Sequence, residues 1–402
     1  MQPQRIIFDG HSGIGDTMQY IAALLSLRAM YPQAQILFTT NTIGKMLLGS
    51  CNFVDRIAVV WQKGGSADSA NLQRLVQQAK YFTVAADALD DEINGLHLPS
   101  ADMIVCVERN KELLEAALST GAQVFTFSTL RALTHKNLHF SLPFNRHHMH
   151  EMVRYQHLVQ ACDSQLFRKT FAQIDLSQVR LTPLQHDLEL IDSFLQQALR
   201  EAAVAMGTPA HSFQHLVTIN PLSKTAEIEG LNFKHADYVA LGEHLARKYP
   251  QCLFVLSSYG EQDFHQNFQQ IASQVPNLKL FVNTGNILTL LALVHRSSLV
   301  IAPSTGTAHL ADNQSVDLCG IYTKQGSYRW GAGGLQQLCE LQAKMRGTAA
   351  PVFNTCAYTL VKQGWEQEYE HYRDQFFTMC TDFVANHTLK HKPKLPQLVA
   401  TS

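Results

Sequence analysis

The chain has 402 residues, with 32 Lys and Arg against 33 Asp and Glu, a formal net charge of −1. At about 150 residues per domain, this length suggests two to three domains, and the 46% hydrophobic content is enough for sizeable cores. The balanced charge excludes a polybasic nucleic-acid coat and an acidic solvating chain, and no apolar run approaches the ~20 residues a membrane span needs. The N-terminus has no basic segment followed by a long apolar run, so no signal peptide is expected. The eight cysteines include no CxxC pair. They read as reduced, mostly structural thiols of a cytosolic protein.

In chain order, Ile6 to Phe8 reads as a first strand, HSGIGD as a turn, and Asp16 to Met30 as a helix ended by Pro32. Strands follow at Ile36 to Thr40, Ile57 to Trp61 and Met103 to Val107, then a helix from Glu108 to Ser119 and a strand from Val124 to Phe127. Leu188 to Ala205 is one long helical stretch. A second alternation then runs through strands Leu216 to Ile219, Cys252 to Leu256, Leu278 to Val282 and Leu299 to Ala302. Its helices are Asp237 to Arg247, Glu261 to Ser273 and Ile287 to Val294, and a last long helix spans Trp365 to Asn386. Alternating strands and helices indicate parallel sheets covered on both faces. The expected class is therefore α/β, with two doubly wound, Rossmann-like domains facing a cleft. The divisions are 1–180, a helical linker at 181–213, a second domain at 214–345, and a helical segment at 346–402. Ligands of open parallel sheets bind beyond the carboxyl ends of the strands.

Four constellations lie where chemistry is expected. After the first strand, Gly10, Gly13 and Gly15 are spaced G-x-x-G-x-G, which is not the dinucleotide fingerprint. Asp16 at the helix start would also repel a pyrophosphate. It reads either as a helix N-cap or as a general base. Second, Ser304, Thr305, Gly306 and Thr307 stand at a strand-to-helix turn with His309 just beyond. This is either a plain capped helix or, given its density of hydroxyls, a phosphate site at a helix N-terminus. Third, Asn220, Ser223 and Lys224 follow the strand Leu216 to Ile219. The Lys is either a solvated loop residue or a partner for a diphosphate. Fourth, Arg146, His147, His148, His150, Glu151 and Arg154 cluster without metal-ligand spacing. They read as a solvated or acceptor-facing cationic patch rather than a metal or nucleic-acid site.

The segments GIGDTMQYIAALLSLRAMYP, ADMIVCVERNKELLEAALSTGA, HEMVRYQHL, VIAPSTGTAHLAD and GIYTKQGSYRWG, in this order, resemble the heptosyltransferase family, glycosyltransferase family 9. The resemblance covers nearly the whole chain, and PSTGTAH followed by YRWG is its most specific part. It implies the two-domain GT-B architecture and an inverting transfer of heptose from an ADP-activated donor to a lipopolysaccharide or lipooligosaccharide inner-core acceptor. By this resemblance Asp16 is the catalytic base, Ser304 to Thr307 hold the diphosphate, and Lys224 offsets its charge. Glu261 matches the acidic residue that contacts the ribose, and the terminal helix is expected to cross back to the first domain. Asn220, Ser223 and His309 join the donor site; Arg146, His147 and Arg154 join the acceptor site. The family's Pro six residues after the Asp is Ala22 here, and GLNFKHADY replaces its Lys-x-Trp-Pro segment, so the diphosphate lysine is Lys224 or Lys234.

The expected partners are a nucleotide-sugar donor and a glycolipid acceptor, with no nucleic acid, no metal or other cofactor, and at most peripheral contact with the cytoplasmic face of the inner membrane. The alternatives are transfer of another activated sugar, transfer to a protein, and a non-catalytic sugar-nucleotide-binding module.

Overall fold

The computed structural model describes residues 2–10, 14–49, 51–59, 101–107, 111–127, 134–141, 149–221, 230–284, 286–351, 357–362, 368–390 and 395. The end of the expected strand at Trp61, the start of the expected helix at Glu108, Cys356 and Trp365 lie outside them. The chain divides into two compact units, 1–180 with 334–352, and 181–333 with 353–402.

In the first unit the elements run β1 (Arg5–Asp9), α1 (Ile14–Met30), β2 (Gln35–Thr40), α2 (Thr42–Leu48), β3 (Arg56–Val59), β4 (Met103–Cys106), α3 (Lys111–Ser119), β5 (Gln123–Phe127), β6 (Leu138–Ser141), α4 (Glu151–Cys162) and α5 (Ser164–Phe171). The sheet order is β3-β2-β1-β4-β5-β6, with every pair parallel. Buried on both faces, the inner strands β1, β2, β4 and β5 are largely apolar runs. Alternation along β1 sends Ile7 to a core with Leu37, Ile104, Leu114 and Val124. Phe8 goes to the other face, where it meets Tyr20 and Phe38 at centroid distances of 5.6 and 6.1 Å.

In the second unit the elements are α6 (Gln185–Met206), β7 (His215–Ile219), α7 (His235–Lys248), β8 (Cys252–Ser258), α8 (Gln262–Ile271), β9 (Leu278–Val282), α9 (Ile287–Arg296), β10 (Leu299–Pro303), α10 (Gly306–Asn313), β11 (Asp317–Thr323) and α11 (Lys324–Trp330). After them come α12 (Gly334–Arg346), which belongs to the first unit, then β12 (Ala357–Lys362) and α13 (Tyr369–Lys390), which belong to the second. The sheet order is β12-β11-β10-β7-β8-β9, again all parallel. In both sheets the order reverses beside the first strand, between β1 and β4 and between β7 and β10. That position opens a ligand crevice at the carboxyl ends of a doubly wound sheet. Among the described residues no helix is long and apolar enough to cross a membrane.

Two expectations about chain organisation change. The expected helical linker at 181–213 is part of the second unit, where α6 packs on α9. Asp187 is buried and accepts from Thr289 Oγ1 at 2.7 Å, while Arg296 pairs with Asp192 at 2.6 Å. The segment grouped with the first unit is 334–352, not the terminal helix. α12 lies against α4, where Gly334 allows the approach: a Cβ there would sit 2.4 Å from His150 Cε1. α13 instead supplies Tyr372, Phe376, Cys380, Phe383 and Val384 to the core of the second sheet. Phe376 stacks on Phe233 at 5.1 Å, and buried His387 Nδ1 meets Asp317 Oδ2 at 2.7 Å. Cys319 and Cys380 lie with sulfurs 3.6 Å apart in this core as free thiols.

If α13 is part of that core, Phe376→Ala should cost ~3–5 kcal/mol, the range for emptying a buried phenylalanine site. Urea unfolding measures this, and a loss below ~1 kcal/mol would make the helix an appendage.

Candidate functional site

In the first unit, Asp16 is the third residue of α1 and half-buried. It is therefore not the N-cap that one reading of the sequence assigned to it, because the helix begins at Ile14. The first-turn position keeps the favourable interaction of a carboxylate with the helix N-terminus. Asp16 shares its surroundings with Tyr155, whose phenol is held well above its ordinary pKa by burial and then by Tyr20, Glu151 and Asp16, against the opposing pull of Arg154. Tyr155 and Tyr20 meet edge-on at 4.9 Å.

The expected cationic patch is different in its described part. His150 and Glu151 are buried, and the His150 ring caps α4 by accepting from the Met152 N–H at 3.2 Å. Arg154 Nη1 donates to both Glu151 oxygens, at 2.9 and 3.0 Å. Its guanidinium lies 4.1 Å over the Phe127 ring, and its buried Nε has no hydrogen-bond acceptor. The start of α4 turns into the core beside α1 and α12, so this part carries a neutralised pair rather than open positive charge. Arg146, His147 and His148 lie outside the described residues.

In the second unit the carboxyl ends of β7 and β10 are neighbours. Asn220 follows β7, and its backbone N–H donates to Ile301 O of β10 at 2.9 Å. Its side chain is 1% exposed, and neither amide atom has a hydrogen-bond partner among the described residues. Ser304 follows β10 and is half-buried. Thr305 then caps α10, Oγ1 accepting from Ala308 N at 3.3 Å, and Gly306 is the first helical residue. The first backbone N–H groups of a helix lack intrahelical partners and form an anion site. Thr307 and His309 are buried behind this turn, with His309 edge-on to Trp330 at 5.9 Å.

Glu261 caps the start of α8 after β8. Its Oε2 accepts from Ser258 Oγ at 2.8 Å and from Tyr259 N at 2.9 Å, which leaves Oε1 open. Gly260, at φ +97°, makes the tight turn between them. Lys234 lies at the start of α7 with its ammonium 5.5 Å over the Tyr369 ring. Ser223 and Lys224 lie outside the described residues. The structure thus brings Asn220, Ser304, Thr305 and Gly306 to the β7/β10 crevice, with Glu261 on the strand beyond.

Tyr259 and Trp330 are the neighbours that pattern reading did not place in the site. Trp330 stands in the quoted YRWG segment. The signal for Tyr259 is an aromatic residue before Gly at the end of an apolar strand. Among the described residues no group of three or more His, Cys, Asp or Glu side chains could hold a metal ion.

A buried amide without partners costs about 1–3 kcal/mol. Asn220→Ala removes that cost at the price of a small void, so its melting temperature should equal or exceed that of the unaltered chain. A scanning calorimeter decides it: a fall of several degrees would mean that the amide is satisfied in the folded chain.

No family model and no curated protein matches this chain. Solved structures do. A glycosyl transferase family 9 structure from Veillonella parvula matches at 14% identity and TM-score 0.61, covering 95% of this chain and 98% of the other. E. coli ADP-heptose LPS heptosyltransferase II matches at 12% and 0.61, covering 96% and 99%. E. coli heptosyltransferase WaaC with ADP matches at 10% and 0.56, covering 95% and 99%. At these identities the likeness is one of fold: this chain has the two-unit, Rossmann-like α/β fold of those transferases.

Proposed function

We propose that this chain is an inverting glycosyltransferase that moves heptose from an ADP-activated donor to a lipopolysaccharide or lipooligosaccharide inner-core acceptor. The observation that carries the donor half is the unpartnered, buried Asn220 amide beside the N-terminus of α10 at the β7/β10 strand reversal. Folding leaves such an amide unpaired at a cost that a polar ligand repays on binding. The family 9 segments of the sequence and the fold shared with heptosyltransferases support the same reading.

In this reading the diphosphate lies on the amides of Gly306 and Thr307, with Ser304 and Thr305 beside it and Lys224 or Lys234 offsetting its charge. Glu261 Oε1 accepts from the ribose hydroxyls. Asp16 removes the proton from the acceptor hydroxyl as that oxygen bonds to the sugar's anomeric carbon. The bond from that carbon to the diphosphate oxygen breaks on the opposite face, and the nucleotide leaves with the electron pair. Arg146 and His147 address anionic groups of the acceptor, while Arg154 stays paired with Glu151. The enzyme works in the cytoplasm and meets the inner membrane only through a glycolipid substrate.

Calorimetric titration with ADP, UDP and GDP, followed by mass analysis of products, tests the donor and separates ADP-heptose from other activated sugars. Binding without turnover on any acceptor would make the chain a sugar-nucleotide-binding module.

Asp16→Asn keeps the size of the side chain and loses its basicity. Single-turnover rates should fall about 10²–10⁴-fold, the usual contribution of a general base, with donor affinity nearly unchanged. Melting should shift only by the ~0.3–1 kcal/mol that a first-turn charge contributes. Rates within a few-fold of the unaltered enzyme would remove Asp16 from the mechanism. Because helix amides and a lysine carry the diphosphate charge in this reading, turnover should persist in EDTA. Loss on chelation, restored by Mg²⁺ or Mn²⁺, would contradict it.

A further inference from the structure

We propose that Tyr259 is a nucleoside-binding residue, its ring forming an aromatic platform beside Glu261; this rests on the nucleotide-sugar reading above. Tyr259 directly follows β8, at the carboxyl end of the strand next to β7. It is 46% exposed, whereas all of β8 before it is buried.

Its two ends lie in different surroundings. Burial raises the phenol above its ordinary pKa, and the nearby Asn220 amide opposes that rise. Part of the residue's surface stays open.

The backbone ties this ring to a carboxylate. Tyr259 N donates to Glu261 Oε2, Ser258 Oγ donates to the same oxygen, and Gly260 N donates to Ser258 Oγ at 2.9 Å. Ring and carboxylate therefore sit on one braced turn, with Oε1 open. A carboxylate oxygen accepts from vicinal hydroxyls, and an aromatic ring stacks on a flat, weakly polar surface. A nucleoside joins these two features in one molecule: a ribose diol and a planar base. A diphosphate or a free sugar lacks the planar part.

The test is calorimetric titration of the full chain with ADP, UDP, GDP and inorganic pyrophosphate, which lacks the nucleoside. For the tightest-binding nucleotide, Tyr259→Leu should weaken affinity about 10- to 100-fold, the loss seen when a base-stacking ring is removed. Tyr259→Phe, which keeps the ring, should retain most of the affinity, and pyrophosphate should bind all variants alike. Tyr259→Trp should bind as tightly as the unaltered chain, its added fluorescence quenched by nucleotide and not by pyrophosphate. Unchanged nucleotide affinity in Tyr259→Leu would overturn the proposal, as would an equal loss for pyrophosphate. If Tyr259→Leu fails to fold, the Tyr259→Trp fluorescence decides, and no quenching by nucleotide overturns it. Failure of the unaltered chain to bind any nucleotide would overturn the nucleotide reading and this proposal with it.

Discussion

Between β7 and β10 the strand order reverses, and the helices that follow leave for different faces of the sheet. α7 packs with α8 and α13, and α9 packs with α6 and α10. The backbone ends of two central, buried strands are therefore left without a covering helix. Any polar side chain there is desolvated by the sheet yet has no ladder partner. Asn220 occupies that position, and α10 begins beside it, with its first N–H groups unused by the helix. The proposed donor site rests on this one topological feature.

The first unit meets the same constraint with different chemistry. Its reversal lies between β1 and β4, and α1 starts just after β1 with a carboxylate in its first turn. A carboxylate suits a helix N-terminus but repels phosphate, so in the proposed reading the two units take opposite roles: one holds a base, the other an anion. Tyr155 packs on Tyr20 and lies within the electrostatic reach of Asp16 and of the Glu151–Arg154 pair, whose Glu151 is wholly buried. A buried ion pair is a poor source of stability, because desolvation offsets the attraction.

Much of the sheet architecture was legible because parallel strands buried on both faces are uninterrupted apolar runs. RIIF, LFVL and SLVIA are short, β-branched or aromatic apolar runs bounded by polar or turn residues, and each is a strand. Several of the elements that escaped pattern reading have few or interrupted apolar residues, although β11 (DLCGIYT), buried over six of its seven residues, escaped as well. β6 (LHFS) and β12 (AYTLVK) are edge strands, half-covered and mixed in polarity. α11 (KQGSYRW) has no buried residue at all. PSTGTAH was legible as a capped strand-to-helix turn because hydroxyls and a glycine in that position make the same local structure wherever they occur. The Glu151–Arg154 pair was not, because sequence shows the charges but not that one carboxylate lies buried against one guanidinium.

The sequence by itself determined the two α/β alternations, the turn at Ser304 to Thr307 and the placing of Asp16 near a helix start, since all three rest on interactions within about ten residues. Only the tertiary structure decided which segments belong to which unit. Nothing local distinguishes α12 from α13 as the helix that joins the first unit; the choice lies in whether Gly334 admits His150 and whether Phe376 finds Phe233. The same holds for Asn220 and Tyr259. An asparagine after a strand is an ordinary turn residue until strands distant in sequence close around it, bury it and leave its amide unpaired.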